Sequence, residues 1–149
     1  MSRTIAAIAA GAVLLAGAPA LAQLTPANPE EAAVRATLDH YLAGHATGDP
    51  AEYRQAFDDE AKLFWIRDGK LMQRTDDDYI AAATGKPAPD EAQRRRWIES
   101  VNITGTAATA KVVLDYPTVV MTDYMSLLKT PQGWKIVNKI FDVAPKPKP

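Results

Sequence analysis

The chain has 149 residues, a net charge of −1 and no cysteine. That length suffices for one domain with its own core, and the near-neutral charge offers no electrostatic footprint for nucleic acid or an anionic membrane. Without cysteine there is no disulfide, no thiolate nucleophile and no Cys-based metal site.

Residues 1–22 read as an export signal. Arg3 supplies a positive start, Ile5 to Leu15 is apolar, and Ala20-Leu21-Ala22 offers a small-x-small cleavage pattern before Gln23. The apolar run is short for a bilayer, which needs ~20 residues, and no Cys follows it for a lipid anchor. The expectation is a periplasmic or secreted protein that has no membrane contact once the signal is removed. Arg3 is the only charge in this stretch, so the remainder carries −2.

Residues 23–29 are expected to be a linker, 30–144 the folded domain and 145–149 a disordered tail rich in proline. Asn28-Pro29 with Glu31 predicts the start of a first helix. Val34, Leu38, Tyr41, Leu42 and His45 form its apolar stripe. Gly48 ends it, and Asp49-Pro50 with Glu52 starts a second, shorter helix carrying Tyr53, Ala56 and Phe57. A third is predicted from Thr75 through Asp76-Asp77-Asp78, whose acids suit the positive end of a helix dipole, to Gly85.

The remainder reads as strand. Ala61–Ile66 and Lys70–Arg74 flank Asp68-Gly69, a hairpin signal. Residues 86–93 form a loop, and Arg94-Arg95-Arg96, which follows Asp90 and Glu91, begins a solvated element. Strands follow at Arg95–Thr104, Thr106–Tyr116, Thr118–Lys129 and Trp134–Val143. Helices first and long strands later predict an α+β fold: a cone-shaped, curved antiparallel sheet with three N-terminal-half helices on its concave face. The late strands are apolar on both faces. Tyr124, Ser126 and Leu128 oppose Asp123, Met125 and Leu127; Trp134, Ile136 and Ile140 oppose Val137 and Phe141. A sheet with one wet face alternates more cleanly, so a homodimer through the second face is expected.

The two histidines, His40 and His45, point about 140° apart on one helix and cannot share a metal. No Ser-His-Asp arrangement and no phosphate loop is present. Asp123 stands out, a carboxylate in the middle of an apolar strand, where it must be solvated, paired or held in a pocket. Lys139 on the next strand is its candidate partner. Tyr41 and Asp123 are the candidate polar anchors of a cavity between the layers, with His45 as the spare base.

From Tyr41, Gly48-Asp49 and Phe57-Asp58-Asp59-Glu60-Ala61 to Asp123-Tyr124-Met125-Ser126-Leu127-Leu128 and Gly133-Trp134-Lys135-Ile136-Val137-Asn138-Lys139-Ile140-Phe141, the chain resembles the nuclear transport factor 2-like superfamily. Within it the lumazine-binding and polyketide-cyclase-like branch is most similar. Such a fold hosts many chemistries. Ketosteroid isomerase, from the same superfamily, uses a helix Tyr and a protonated late-strand Asp as an oxyanion hole. Tyr41 and Asp123 stand at the matching places, but the position of its Asp base falls on Trp65. The resemblance implies a pocket with two donors and no matching proton abstractor, which argues against a 3-oxosteroid isomerase.

The expected function is therefore an exported domain that binds a small apolar or aromatic molecule. Tyr41, Phe57, Trp65, Trp97, Asp123, Tyr124 and Lys139 are its expected ligand-binding residues, with no metal or cofactor implied. Whether the pocket is open depends on Trp65 and Trp97. The alternatives are a cofactor-free isomerase, cyclase or dehydratase using Tyr41, Asp123 and His45, and a dimeric assembly module with a filled core.

Overall fold

The computed structural model describes residues 28–147. The expected signal segment, all of the linker before Asn28 and the last two residues lie outside them.

Each helix starts where a side chain can satisfy its first amides. The Asn28 side chain accepts from the Glu30 amide at 3.0 Å and opens α1 (Pro29–Thr47). Asp49 accepts from Ala51 at 2.8 Å and opens α2 (Pro50–Ala56). Thr75 accepts from Asp78 at 3.1 Å and opens α3 (Asp76–Ala81). The third helix stops short of Gly85. The Gly85 amide instead donates to the Gly48 carbonyl at 2.8 Å, which draws this segment onto the α1–α2 junction. Gly48 itself has φ +72°, and a Cβ there would stand 2.3 Å from the Lys86 carbonyl oxygen.

The strands are β1 (Phe57–Arg67), β2 (Lys70–Thr75), β3 (Arg95–Thr104), β4 (Ala107–Asp115), β5 (Val119–Thr130) and β6 (Gly133–Pro145), in the spatial order β2-β1-β6-β5-β4-β3. The sheet is mixed, which corrects the antiparallel expectation. β1 enters directly from α2 and lies parallel to β6, the last strand, while every other pair is antiparallel. The expected tail is corrected at its beginning too. Pro145 pairs with Val119, the Lys146 amide donates to the Thr118 carbonyl at 2.8 Å, and the Lys146 ammonium meets the Asp115 carboxylate.

The helices cover one face of this sheet. Val34, Leu38 and Tyr41 of α1 and Ile80 of α3 pack on Leu63, Leu114, Met125, Leu127 and Ile136. The other face is open: Tyr124, Leu128 and Ile140 are each about half exposed. A bulge sets which β6 residues face where. Ser126 pairs with Asn138 but Leu127 pairs with Ile136, so Val137 is an extra residue. One extra residue inverts the alternation beyond it. Trp134 and Ile136 face the helices as expected, Ile140 does not, and Lys139 turns inward in its place.

Candidate functional site

The bulge has a direct chemical consequence. Lys139 sits diagonally from Asp123 on the helix-covered face, with its ammonium 3.3 Å from Oδ1 of Asp123. Asp123 is 0% exposed and Lys139 3%. Isolated charges at such depth are costly, so each requires the other and further hydrogen bonds. Tyr41 supplies these. Its hydroxyl donates to Oδ2 of Asp123 at 2.5 Å and accepts from Lys139 Nζ at 2.7 Å. The ammonium also lies 5.1 Å, 5.2 Å and 4.6 Å from the ring centroids of Tyr41, Tyr79 and Phe141, a cation–π enclosure.

His45, one turn after Tyr41, extends the cluster. Its Nε2 lies 2.9 Å from the hydroxyls of both Tyr41 and Tyr79, and its Nδ1 3.1 Å from that of Tyr116. Arg96 donates through Nε to the Tyr116 hydroxyl at 3.1 Å and through Nη2 to the His45 carbonyl at 3.2 Å. Both Nη atoms also donate to Glu91 at 2.6 Å. The solvated reading of the arginine run is thus corrected for Arg96, whose side chain is 8% exposed. Arg94 also lies over the Tyr116 ring, with its guanidinium 4.2 Å from the centroid.

These surroundings fix protonation states. Burial, then the nearby Asp123 charge, pushes the Tyr41 hydroxyl well above its usual value, so it stays a donor. Burial, then Lys139, Arg96 and Arg94, holds His45 well below its usual value, so it is neutral at pH 7. Burial lowers Lys139, and Asp123 opposes that shift. Oδ1 of Asp123 has no hydrogen bond of acceptable geometry, only the ion pair.

Toward the β1–β2 hairpin the same face opens. A cavity of about 330 Å³ is lined by Leu63, Trp65, Arg67, Arg74, Tyr79 and Phe141, among others. The Trp65 and Phe141 rings stack there with centroids 5.3 Å apart and planes 27° apart. Tyr79 and Phe141 belong both to this slot and to the ring of aromatics around Lys139, so the cluster lies one side chain behind the slot wall.

A domain of three capped helices on an open six-strand sheet, with an aromatic slot over a buried polar cluster, has clear relatives. The family profile described as "Putative lumazine-binding" matches residues 29–142. The chain belongs to that family, within the nuclear transport factor 2-like superfamily. A nuclear transport factor 2-like protein of unknown function from Shewanella baltica is 28% identical, with a TM-score of 0.72 over 82% of this chain and 99% of that one. Another, from Silicibacter pomeroyi, has TM-score 0.67 at 23% identity over 77% of this chain and 96% of its own. A third, from Methylobacillus flagellatus, has TM-score 0.64 at 24% identity over 77% and 92%. None of the proteins of curated function matches the chain significantly.

In this lumazine-binding-family domain the expected site residues divide into groups. Tyr41, Asp123, Lys139 and His45 come together in the cluster. Phe57 packs edge-on against Tyr41, with centroids 5.8 Å apart, and is buried core. Trp65 walls the slot. Trp97 and Tyr124 do not: both lie on the outer face, 43% and 51% exposed. Trp97 pairs with Val113, whose neighbour Thr122 shares the face of Tyr124, so the expectation that they wall this pocket is corrected. Tyr124 instead borders an outer-face groove of about 390 Å³ with Phe64, Ile66 and Leu71. Tyr79, Tyr116 and Arg96 belong to the cluster and were not expected there. Only the inward stripe of α3 pointed to Tyr79. His40 is tied to Glu52 at 2.7 Å, a pairing across α1 and α2 that takes Glu52 from its expected capping role.

Proposed function

We propose that this domain is exported and binds a small apolar or aromatic molecule in the slot beside Trp65 and Phe141. One observation carries this reading: a cavity of about 330 Å³ beside the buried core is walled by the aromatic side chains of Trp65, Tyr79 and Phe141. The buried cluster is its base. Because Tyr41 donates to Asp123, neither presents a free donor to the slot, and the ligand rests on Trp65, Phe141 and Tyr79 instead. Native mass spectrometry of the protein purified from its exporting host tests this. A reproducible bound mass supports binding and names the ligand class. The same preparation tests export by whether the chain begins near Gln23. If Asp123→Asn leaves uptake unchanged, the cluster has no part in binding.

A cofactor-free isomerase, cyclase or dehydratase is the second reading. It is favoured by a neutral tyrosine hydroxyl 2.5 Å from a carboxylate and 2.9 Å from a neutral imidazole, a set able to relay a proton. It requires Lys139 to move from between Tyr41 and the slot. A bell-shaped pH–rate profile lost in His45→Gln is its expected signature. The half-exposed apolar side chains on the outer face support a homodimer. Sedimentation of Ile140→Asp as a monomer, against a dimeric parent, is the expected result.

A further inference from the structure

The slot carries charge that its surroundings do not use. Arg67 and Arg74 flank Trp65 on the helix-covered face, because Trp65 pairs with Met72 and Leu63 with Arg74 across the β1–β2 hairpin. Their guanidinium carbons lie 5.8 Å and 5.9 Å from the Trp65 ring centroid. Among the described residues, neither makes an ion pair or a side-chain hydrogen bond. Every other described arginine has a carboxylate: Arg35 with Glu31, Arg54 with Asp77, Arg94 with Asp90, Arg95 with Asp115 and Arg96 with Glu91. In a chain of net charge −1 with acids to spare, the two guanidinium groups left over stand over one indole, and both line the same cavity.

We propose that the slot selects an organic anion: a flat apolar body lying against Trp65 and Phe141, with a carboxylate, sulfonate or phosphate held between Arg67 and Arg74. This rests on the small-molecule reading above and gives its ligand a charge. Guanidinium groups match such anions with paired donors. Both arginines are already stacked on an aromatic face, which limits the freedom they lose on binding. The size of the slot suits a one- or two-ring acid rather than a polymer.

The test compares two fluorescent probes of nearly equal shape, 8-anilinonaphthalene-1-sulfonate and uncharged N-phenyl-1-naphthylamine, on the protein purified as for the mass measurement above. The expected result is binding of both, with the sulfonate tighter by roughly tenfold, the size of one charge-assisted contact. Arg67→Gln and Arg74→Gln each remove most of that preference, with the neutral probe still bound and the protein still folded. Trp65→Ala weakens both probes. Tyr124→Ser, in the outer groove, weakens neither. If both probes bind equally and the arginine variants change nothing, the anion proposal is overturned while the pocket reading stands. If neither probe binds, both fall. If Tyr124→Ser abolishes the sulfonate preference, the anion site lies on the outer face and the proposal is overturned.

Discussion

Lys139 and Arg74 are cations on the same face of one sheet, yet their circumstances are opposite. Lys139 is 3% exposed and is held by Asp123, Tyr41 and three aromatic rings. Arg74 is exposed, makes no ion pair among the described residues, and lies with its guanidinium 5.9 Å from the Trp65 ring centroid. The difference follows from what lies above each. α1 seals the middle of the face, so a charge there survives only when fully paired. The short α3 leaves the β1–β2 end uncovered, so a charge there needs no partner from the chain. Structural polarity and available polarity are thus separated along one face, by the reach of two helices.

The largest expected effect breaks the sealed end. Lys139→Met leaves the Asp123 carboxylate buried without its cation and destabilises the fold by about 3–5 kcal/mol, whereas adding Asp123→Asn recovers most of that loss. Urea unfolding of the two single variants and the double variant measures both. A double variant no more stable than Lys139→Met alone would show that the pair is not what the cluster depends on. Tyr41→Phe removes the hydroxyl that bridges acid and base, at an expected cost of about 1–3 kcal/mol.

Gly44→Ala is a sharper probe of how tightly the sealed end is packed. In an exposed helix this change gains ~1 kcal/mol. Here the new Cβ would stand 2.6 Å from the Tyr53 ring, which itself packs against Tyr41 and His45. The expected outcome is a net loss of about 1–2 kcal/mol, and a gain would mean the ring layer is loose.

The pH dependence has a definite sign. His45 in the fold resists protonation, while in the unfolded chain it takes a proton near its ordinary value of 6.5. The unfolded state therefore binds more protons below that value. The stability contributed by neutral His45 is complete above about pH 6.5 and is lost as the pH falls below it. Denaturation midpoints from pH 7.5 to 5 should fall more steeply for the parent than for His45→Gln. Equal slopes would place His45 outside the buried network. The smallest effect belongs to the open end, where Arg67→Gln and Arg74→Gln should stay within about 0.5 kcal/mol of the parent in stability.

The capping residues Asn28, Asp49 and Thr75, the Asp68-Gly69 hairpin and the stripe Val34, Leu38, Tyr41 are all readable from sequence, because each depends on neighbours within one turn of chain. At Asp68 and Gly69 the backbone takes φ 51° and 73°, the left-handed values such a turn requires. Asp123 is conspicuous for a similar reason, since a lone acid in an apolar strand must be solvated, paired or held in a pocket. Its partner Lys139 is identifiable as a candidate but not assignable, because alternation alone turns Lys139 outward. The extra residue at Val137, which reverses that phase, follows from how β6 is gripped between β1 and β5 and has no local signature.

Trp97 and Tyr124 show the same limit from the other side. Aromatic residues suit either face of a pleated strand equally, so composition does not say which side they take. That side was decided by strand register, and so was the meeting of Tyr79, Tyr116 and Arg96 around His45. These residues come from α3, the β4–β5 turn and β3, and only the closing of helices over the sheet brings Tyr79 and Tyr116 onto the His45 ring and Arg96 onto its carbonyl. Residue identity determines which elements form and which charges need partners. Which partner each obtains, and whether any charge is left for a ligand, depends on contacts between segments far apart in the chain, and those exist only once the layers pack.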